Sequence, residues 1–372
     1  MTLPVAVLGA GNSGLAMAGH LTASGCAVRL WNRGEEDVLR PIEQNGGIEL
    51  SGVLEGTHRP DVLTYDLGEA VRGVKLILVA MPASGHREVV SALAPHLADG
   101  QLIVLNPGRT AGALEAARLV RQSRHDIEVI VAETQTIAYT CRKTSCSSCN
   151  ILSFKRHVEL AAPTTSETEA VFAALPDCLR HCFCPSNLVR TSLGNVGMVL
   201  HCAPMLFSVG WIETERTRFK YYYEAITPSV AAFLEKIDEE RLAVARELGE
   251  DIPDVAEWMR RSYGVSGKGI FECIQDNRAY AEIEAPAKLQ HRYLFEDVPT
   301  GLVPLEAIGR RLQMPMHCTG LVVSLAEEVA ECRFRESGRS LAALGLENLY
   351  GTRDIGRALG GADIVFRRNA NT

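Results

Sequence analysis

Three glycines stand at the spacing G-x-G-x-x-G in the run Gly9-Ala10-Gly11-Asn12-Ser13-Gly14. Glycines so placed permit a tight turn and close backbone approach to a pyrophosphate, while the free N–H groups and dipole of a following helix receive its charge. The pattern alone is common, and its context carries the reading. Val5-Ala6-Val7-Leu8 before it is a continuous apolar run of the kind that forms a central parallel strand. Gly11 to Ser24 reads as a helix with Leu15, Ala18 and Leu21 on one face, closed by Gly25, and Cys26 to Trp31 as a second strand. Gly9, Gly11, Asn12, Ser13 and Gly14 are therefore expected to bind a dinucleotide. A glycine turn without a ligand would not demand all three glycines at this spacing.

At the end of the second strand, where an NAD site usually carries an acid for the ribose hydroxyls, the residues are Asn32-Arg33-Gly34. With no carboxylate to repel a 2′-phosphate and Arg33 placed to bond it, NADP(H) is favoured over NAD(H). The alternative is a solvated Arg33 stacking on adenine. Two further loops follow strand-like runs: Met81-Pro82 after Leu76 to Met81, and Asn106-Pro107-Gly108-Arg109 after Leu102 to Leu105. Ligands of open α/β sheets bind at the carboxyl ends of strands, so Pro82, Asn106 and Gly108 join the candidate cofactor contacts, although Pro-Gly is also a common plain turn.

Proton-transfer chemistry needs groups of another kind. Asn195 and His201 lie on the apolar stretch Asn195 to Ile212, where a lone histidine is more often a satisfied core residue than a catalyst. Residues His291 to Leu302 pack cationic, aromatic and acidic side chains, including Arg292, Glu296 and Asp297, just ahead of Val298-Pro299, where regular structure should break. A surface ion pair of Arg292 with Glu296 is the alternative to a functional role.

The elements that must position these groups fall into two halves. Runs at Leu76 to Met81, Leu102 to Leu105 and Val129 to Ala132 alternate with helix-like segments at Gly85 to Leu97 and Ala111 to Arg121, which predicts a doubly wound sheet. Two short runs around Lys155-Arg156, within Ile151 to Ala161, suggest an antiparallel hairpin finishing it, and Thr164 to Glu169 a helix start with a capping box. After about residue 185 strand signals nearly vanish. Thr227-Pro228 opens a long helix with Val230, Phe233, Leu234, Ile237, Val244, Ala245 and Leu248 at helical spacing. The expected fold is α/β: an N-terminal Rossmann-type doubly wound sheet over residues 1–187, followed by an all-helical C-terminal domain over residues 188–372, with Arg367 to Thr372 frayed.

A length of 372 residues suits two domains, and 47% apolar with 22% charged residues is ordinary for a folded globular chain. The net charge of −7 gives no reason to expect a nucleic-acid partner and favours a small-molecule one. Met1 to Pro4 lead into the first strand without a signal-peptide pattern, and Asn195 to Ile212, interrupted by His201 and Pro204, reads as a buried helix rather than a membrane span. The expectation is a cytoplasmic protein with no membrane partner, and a homodimer is plausible for so apolar a helical half. Eleven cysteines, an odd number, argue against structural disulfides. Cys141, Cys146 and Cys149, and then Cys178, Cys182 and Cys184, could suggest zinc, but the second group's spacing resembles alternation along a strand more than a zinc knuckle, so no metal is expected.

Taken together, Gly9 to Gly14, Asn106-Pro107-Gly108-Arg109-Thr110, Glu133-Thr134 with Tyr139-Thr140-Cys141-Arg142, Asn195 with His201, Tyr263-Gly264-Val265-Ser266-Gly267, and Arg292-Tyr293-Leu294 with Glu296-Asp297-Val298-Pro299 occur in the order seen in the octopine/nopaline (opine) dehydrogenase family, which the chain resembles. The glycine run is shared with many enzymes, and the Tyr-Gly-Val-Ser-Gly and Arg-Tyr-Leu…Glu-Asp-Val-Pro stretches are far more selective. The resemblance implies an NAD(P)-dependent oxidoreductase that condenses an amino acid with an α-keto acid and reduces the imine, acting on CH-NH. It implies His201 as general acid/base, Asp297 as the carboxylate that holds its tautomer, Arg292 as a clamp for a substrate carboxylate, and Asn195 as a further hydrogen-bond donor. Loss of water from a carbinolamine needs a proton donor near neutral pH, which histidine can be. Arg33 departs from what NADH-using members carry, and Cys146 and Cys149 match no family role. The rival readings are a ketopantoate-reductase-like or glycerol-3-phosphate-dehydrogenase-like enzyme, whose acid is usually a lysine, with Lys220, Lys236 and Lys268 in no matching motif, or a dinucleotide-binding regulatory protein without catalysis.

Overall fold

The computed structural model describes residues 4–34, 37–214 and 218–360. The expected fraying of Arg367 to Thr372 lies outside them. The chain divides into two compact units, Met1–Ser192 and Leu193–Thr372.

In the first unit, short apolar runs form strands β1 (Val5–Leu8), β2 (Val28–Trp31), β3 (Ile48–Gly52), β4 (Gly56–His58), β5 (Val62–Thr64), β6 (Leu76–Val79), β7 (Leu102–Leu105), β8 (Ile130–Thr134), β9 (Tyr139–Lys143), β10 (Ser148–Phe154), β11 (Val158–Ala161) and β12 (Phe183–Pro185). Eight of them make one sheet in the order β12-β11-β8-β7-β6-β1-β2-β5. From β5 through β8 every neighbour is parallel. Strands β1, β6 and β7 are buried at every residue, which is why they read as unbroken apolar runs rather than as alternation. The order reverses between β1 and β6, and a crevice opens at the carboxyl ends of those two strands. Gly9 follows β1 and Met81-Pro82 follows β6, so both loops sit at that crevice.

Two expectations are corrected. Ile151 to Ala161 is not a hairpin: β10 pairs antiparallel with β9 and parallel with β3, whereas β11 pairs antiparallel with β8 and parallel with β12. Between them His157 takes φ +58 and the chain passes from one sheet to another. Alternation shows that a strand has two unlike faces, and says nothing about which strand it meets. The second correction concerns Cys178, Cys182 and Cys184, which do not alternate along one strand. Cys178 lies in the helix Asp177–Arg180, begun at Pro176, Cys182 in the link after it, and only Cys184 in β12.

The second sheet, in the order β4-β3-β10-β9, packs on the helix Asn12–Ala23. Leu15, Leu21, Leu50, Tyr139, Cys149 and Ile151 share one core there. His20 hydrogen-bonds the Tyr139 hydroxyl at 3.2 Å and lies against the Phe154 ring at 4.7 Å. Its burial lowers the imidazole pKa to about 4.

The named elements of the second unit are all helical among the described residues. Thr227 caps the helix Pro228–Glu247 by accepting from Val230 N. Helix Gly197–Phe207, which carries His201, packs against Pro228–Glu247 and His317–Ala330. The run expected as one buried helix breaks at Ser208 into Gly197–Phe207 and Val209–Ile212. No helix among the described residues is long and apolar enough to cross a membrane.

Candidate active site

The glycine run folds as its spacing requires. Gly9 takes φ +113, a conformation closed to most side chains. A Cβ on Gly14 would lie 1.8 Å from the Gly9 carbonyl oxygen, so the helix start can press against the turn only if residue 14 is glycine. At Gly11 a Cβ would meet nothing within 4 Å, because this face of the turn opens outward. Among the described residues no side chain caps the N-terminus of the helix Asn12–Ala23 and no acid occupies its first turn, which leaves its N–H groups and dipole facing the opening.

Asn32 braces this turn: its Oδ1 accepts from Ala10 N at 3.1 Å and its Nδ2 donates to the Arg33 carbonyl at 2.9 Å. Asn12 faces the second sheet, its Oδ1 accepting from Lys143 N at 2.6 Å and its carbonyl from the thiols of Cys141 and Cys149 at 3.4 and 3.6 Å. Ser13 Oγ donates to the Ala80 carbonyl at 3.5 Å. A cavity of about 650 Å³ opens in front, lined by Gly9, Gly11, Asn32, Arg33, Pro82 and Glu88 among others. Arg33 Nη1 bonds both carboxylate oxygens of Glu88, at 3.1 and 2.9 Å.

The loop after β7 brings a further feature to the carboxyl ends of the strands. Asn106 precedes a cis peptide to Pro107 and is fully buried, yet neither atom of its side-chain amide has a hydrogen-bond partner among the described residues. A buried amide without partners is costly, so this one marks a place for a polar ligand group. Gly108 lets the loop lie on Glu133, since a Cβ there would stand 2.3 Å from Glu133 Cβ. Glu133, itself fully buried, accepts from Ala113 N and from the hydroxyls of Thr191 and Ser192, each at 2.8 Å, and so fixes the loop from behind. The outward-facing helix start, the glycine turn and the Asn106 amide fit a dinucleotide.

In the second unit, the structure brings His201 and Asp297 together. Asp297 Oδ2 lies 2.7 Å from His201 Nδ1, with the carboxylate wholly buried and the imidazole 14% exposed. A carboxylate only accepts, so the proton rests on Nδ1 and Nε2 is left as the basic nitrogen. Nε2 in turn lies 2.9 Å from the Tyr222 hydroxyl. Asp297 stands at the junction between the short helix Arg292–Phe295 and a π-helical turn, Val298–Leu302. Such turns interrupt regular winding and re-aim side chains. Asn195 is buried beside the same turn: a Cβ on Gly301 would lie 3.3 Å from its Nδ2 and 2.7 Å from Met198 Cβ. Arg292 forms the ion pair with Glu296, Nε to Oε2 at 3.1 Å, while its side chain stays half-exposed.

Sequence reasoning missed the aromatic frame around His201. Tyr293 stacks on the imidazole at 4.0 Å with 16° between the planes, and Tyr222 stacks on Tyr280 at 4.1 Å, which meets Tyr263 edge-on at 5.3 Å. The Tyr221 hydroxyl donates to the His201 carbonyl at 2.5 Å. Burial pushes Tyr221, Tyr222 and Tyr280 well above the ordinary tyrosine range, so these hydroxyls stay protonated. His291 is pushed down by burial and then by the neighbouring Arg292 and His201. Tyr263 and Tyr293 belong to the selective motifs; Tyr222 carried no signal beyond its place in Tyr221-Tyr222-Tyr223. No group of three or more His, Cys, Asp or Glu side chains suited to a metal ion occurs among the described residues.

This arrangement has relatives. Residues 184–330 match the α-helical domain model of NAD/NADP octopine/nopaline dehydrogenases, and residues 4–133 match the N-terminal model of NAD-dependent glycerol-3-phosphate dehydrogenases. An opine dehydrogenase of Arthrobacter sp. strain 1C is 37% identical over 345 residues, covering 92% of this chain and 95% of that protein. Protein ocs of Agrobacterium tumefaciens strain Ach5 is 29% identical over 96% of this chain and 99% of that protein. A solved octopine dehydrogenase with NADH and L-arginine shares the fold at a TM-score of 0.74 and 18% identity, covering 97% of this chain and 98% of that one. A glycerol-3-phosphate dehydrogenase of Thioalkalivibrio sulfidiphilus, 33% identical, covers 43% of this chain and 44% of its own, so that likeness leaves more than half of either protein unmatched. The chain belongs to the octopine/nopaline (opine) dehydrogenase family, whose reaction is the NAD(P)H-dependent reductive condensation of an amino acid with an α-keto acid.

Proposed function

We propose that His201 is the acid/base group of this condensation, that Asp297 orients it, and that Tyr222 carries its proton to the substrate. The observation that bears the reading is the continuous chain Asp297 Oδ2, His201 Nδ1, His201 Nε2, Tyr222 Oη, with links of 2.7 and 2.9 Å across two groups otherwise sealed in an aromatic frame. When the amine has added to the keto acid, the carbinolamine C–O bond breaks and its electrons leave with oxygen. That oxygen takes a proton from Tyr222 Oη, which is refilled from His201 Nε2, protonated beforehand by the substrate ammonium group as it became the attacking amine, while the nitrogen lone pair closes the C=N bond of the iminium. A nicotinamide dinucleotide held at the Gly9 to Gly14 turn and the Asn106 amide would supply the hydride that reduces this bond. The buried Asp297 carboxylate stabilises the imidazolium while it carries both protons. Arg292, half-exposed and paired with Glu296 through Nε, binds a substrate carboxylate through the outer edge of its guanidinium, and Asn195, beside the π-helical turn, donates a further hydrogen bond.

The bound cofactor is NADP(H) rather than NAD(H): no acid ends β2, and Arg33 lines the cavity beside Gly11 and Asn32. Solved relatives have been obtained with either form, an octopine dehydrogenase with NADH and a yersinopine dehydrogenase with NADP+.

The test is a spectrophotometric screen of NADPH and NADH consumption with pyruvate, 2-oxoglutarate and similar acids against pools of amino acids, the product identified by mass spectrometry. The expected product is a secondary-amine dicarboxylate, made faster with NADPH. His201→Ala should lower turnover by about two to four orders of magnitude and leave dinucleotide binding intact. Unchanged turnover in the folded variant would remove His201 from the mechanism.

A further inference from the structure

The guanidinium expected to receive a 2′-phosphate already has an anion on it. Arg33 follows β2, Glu88 lies in the first turn of the helix His86–Leu93, and the two side chains meet across the lining of the dinucleotide cavity, Nη1 to Oε1 and Oε2 at 3.1 and 2.9 Å. Each is more than half exposed, 55% for Arg33 and 65% for Glu88. Water screens an ion pair this open, so parting it costs little, whereas a phosphate dianion offers a planar guanidinium stronger charge-assisted bonds. Arg33 can therefore change partners. The carboxylate released stays beside the incoming dianion, on a helix turn that lines the same cavity, and repels it. A cofactor lacking the 2′-phosphate provokes no such exchange and leaves the pair closed.

We propose that Glu88 sets cofactor selectivity by competing with the 2′-phosphate for Arg33, so that it holds down the advantage of NADPH over NADH. The inference rests on the NADP(H) reading above and adds a residue that opposes it. Glutamine at position 88 keeps the shape and a hydrogen-bonding amide while removing the charge, so the competition disappears without loss of the cavity wall.

The experiment is calorimetric titration of the full chain and of the Glu88→Gln and Arg33→Gln variants with NADPH, NADH, adenosine 2′,5′-bisphosphate and adenosine 5′-monophosphate, which reads binding without turnover. Glu88→Gln should tighten NADPH and the bisphosphate by roughly fivefold to tenfold and leave NADH and the monophosphate within about twofold. Arg33→Gln should weaken the two 2′-phosphorylated ligands alone. An unchanged NADPH-to-NADH ratio in Glu88→Gln overturns the inference while Arg33→Gln still upholds the cofactor reading. Weaker NADPH binding in Glu88→Gln overturns it too, making Glu88 a brace for Arg33, and selective loss of NADH would make Glu88 a ribose ligand. If Arg33→Gln leaves the 2′-phosphorylated ligands unaffected, the cofactor reading and the inference fall together.

Discussion

Tyr222 Oη sits 2.9 Å from His201 Nε2 while Asp297 Oδ2 sits 2.7 Å from Nδ1, so both nitrogens of the imidazole are engaged by the protein itself. An imidazole bonded at both ends exchanges protons with a substrate only through a neighbour or after losing one. Tyr222→Phe removes the hydroxyl and keeps the ring stacked on Tyr280. It is expected to lower kcat by about tenfold to a hundredfold, with KM for the keto acid nearly constant. A fall in KM with kcat intact would show that the hydroxyl competes with substrate and relays nothing.

Asp297→Asn tests the other end of the chain. An amide can offer its N–H to Nδ1 and so invite the opposite tautomer, with the proton on Nε2, where the base is needed. Turnover should fall by about two to four orders of magnitude, and calorimetry should show NADPH binding unaltered. Wild-type rates in a folded variant would mean that the buried carboxylate serves stability alone.

Gly11 and Gly14 should separate folding from binding. The Gly14 position has no space, since a Cβ would meet the Gly9 carbonyl at 1.8 Å, so Gly14→Ala should lower the melting temperature as well as dinucleotide affinity. At Gly11, with φ −82 and nothing within 4 Å of a Cβ, alanine is sterically acceptable to the protein but projects toward the ligand. Gly11→Ala should keep the wild-type melting temperature and weaken NADPH in a fluorescence titration. Full NADPH affinity in this variant would place the pyrophosphate elsewhere.

His20 makes the first unit sensitive to acid. Its folded pKa, near 4, lies below the unfolded value near 6.5, so between those values the unfolded chain binds the extra proton. Stability is therefore full above about pH 6.5 and lost as the pH falls toward 4, by at most about 3 kcal/mol from this group. Urea midpoints measured at pH 7 and pH 5 should differ in the wild type, and the gap should narrow in His20→Gln. An equal gap in both proteins would assign the acid sensitivity to other groups.

The parts of this molecule readable in its sequence are those whose meaning is local. Gly9 to Gly14, the apolar runs of β1, β6 and β7 and the Thr227 cap declare themselves through neighbours a few positions away. His201 and Asp297 stand 96 positions apart, and only the likeness of the segments around them to a family linked the two. Tyr222 stayed invisible because successive residues of a helix turn by roughly 100°, and Tyr221-Tyr222-Tyr223 offers no period to tell which ring faces inward. Glu88, 55 positions beyond Arg33, was hidden in the same way. The second sheet escaped notice because β4 and β9 are made largely of polar residues, and because the parallel pairing of β3 with β10, which joins the local pairs β3 with β4 and β9 with β10 into one sheet, spans about 100 positions.

The hold that β9 and β10 keep on Asn12 reaches across about 130 positions of sequence, from Lys143 N to Asn12 Oδ1 and from two thiols to its carbonyl. The glycine turn is thus clamped by a late-arriving segment and is not a self-sufficient peptide. A fragment ending after β2 would contain every glycine of the loop and still leave it slack, and anyone grafting this loop onto another scaffold must carry its distant splint along with it.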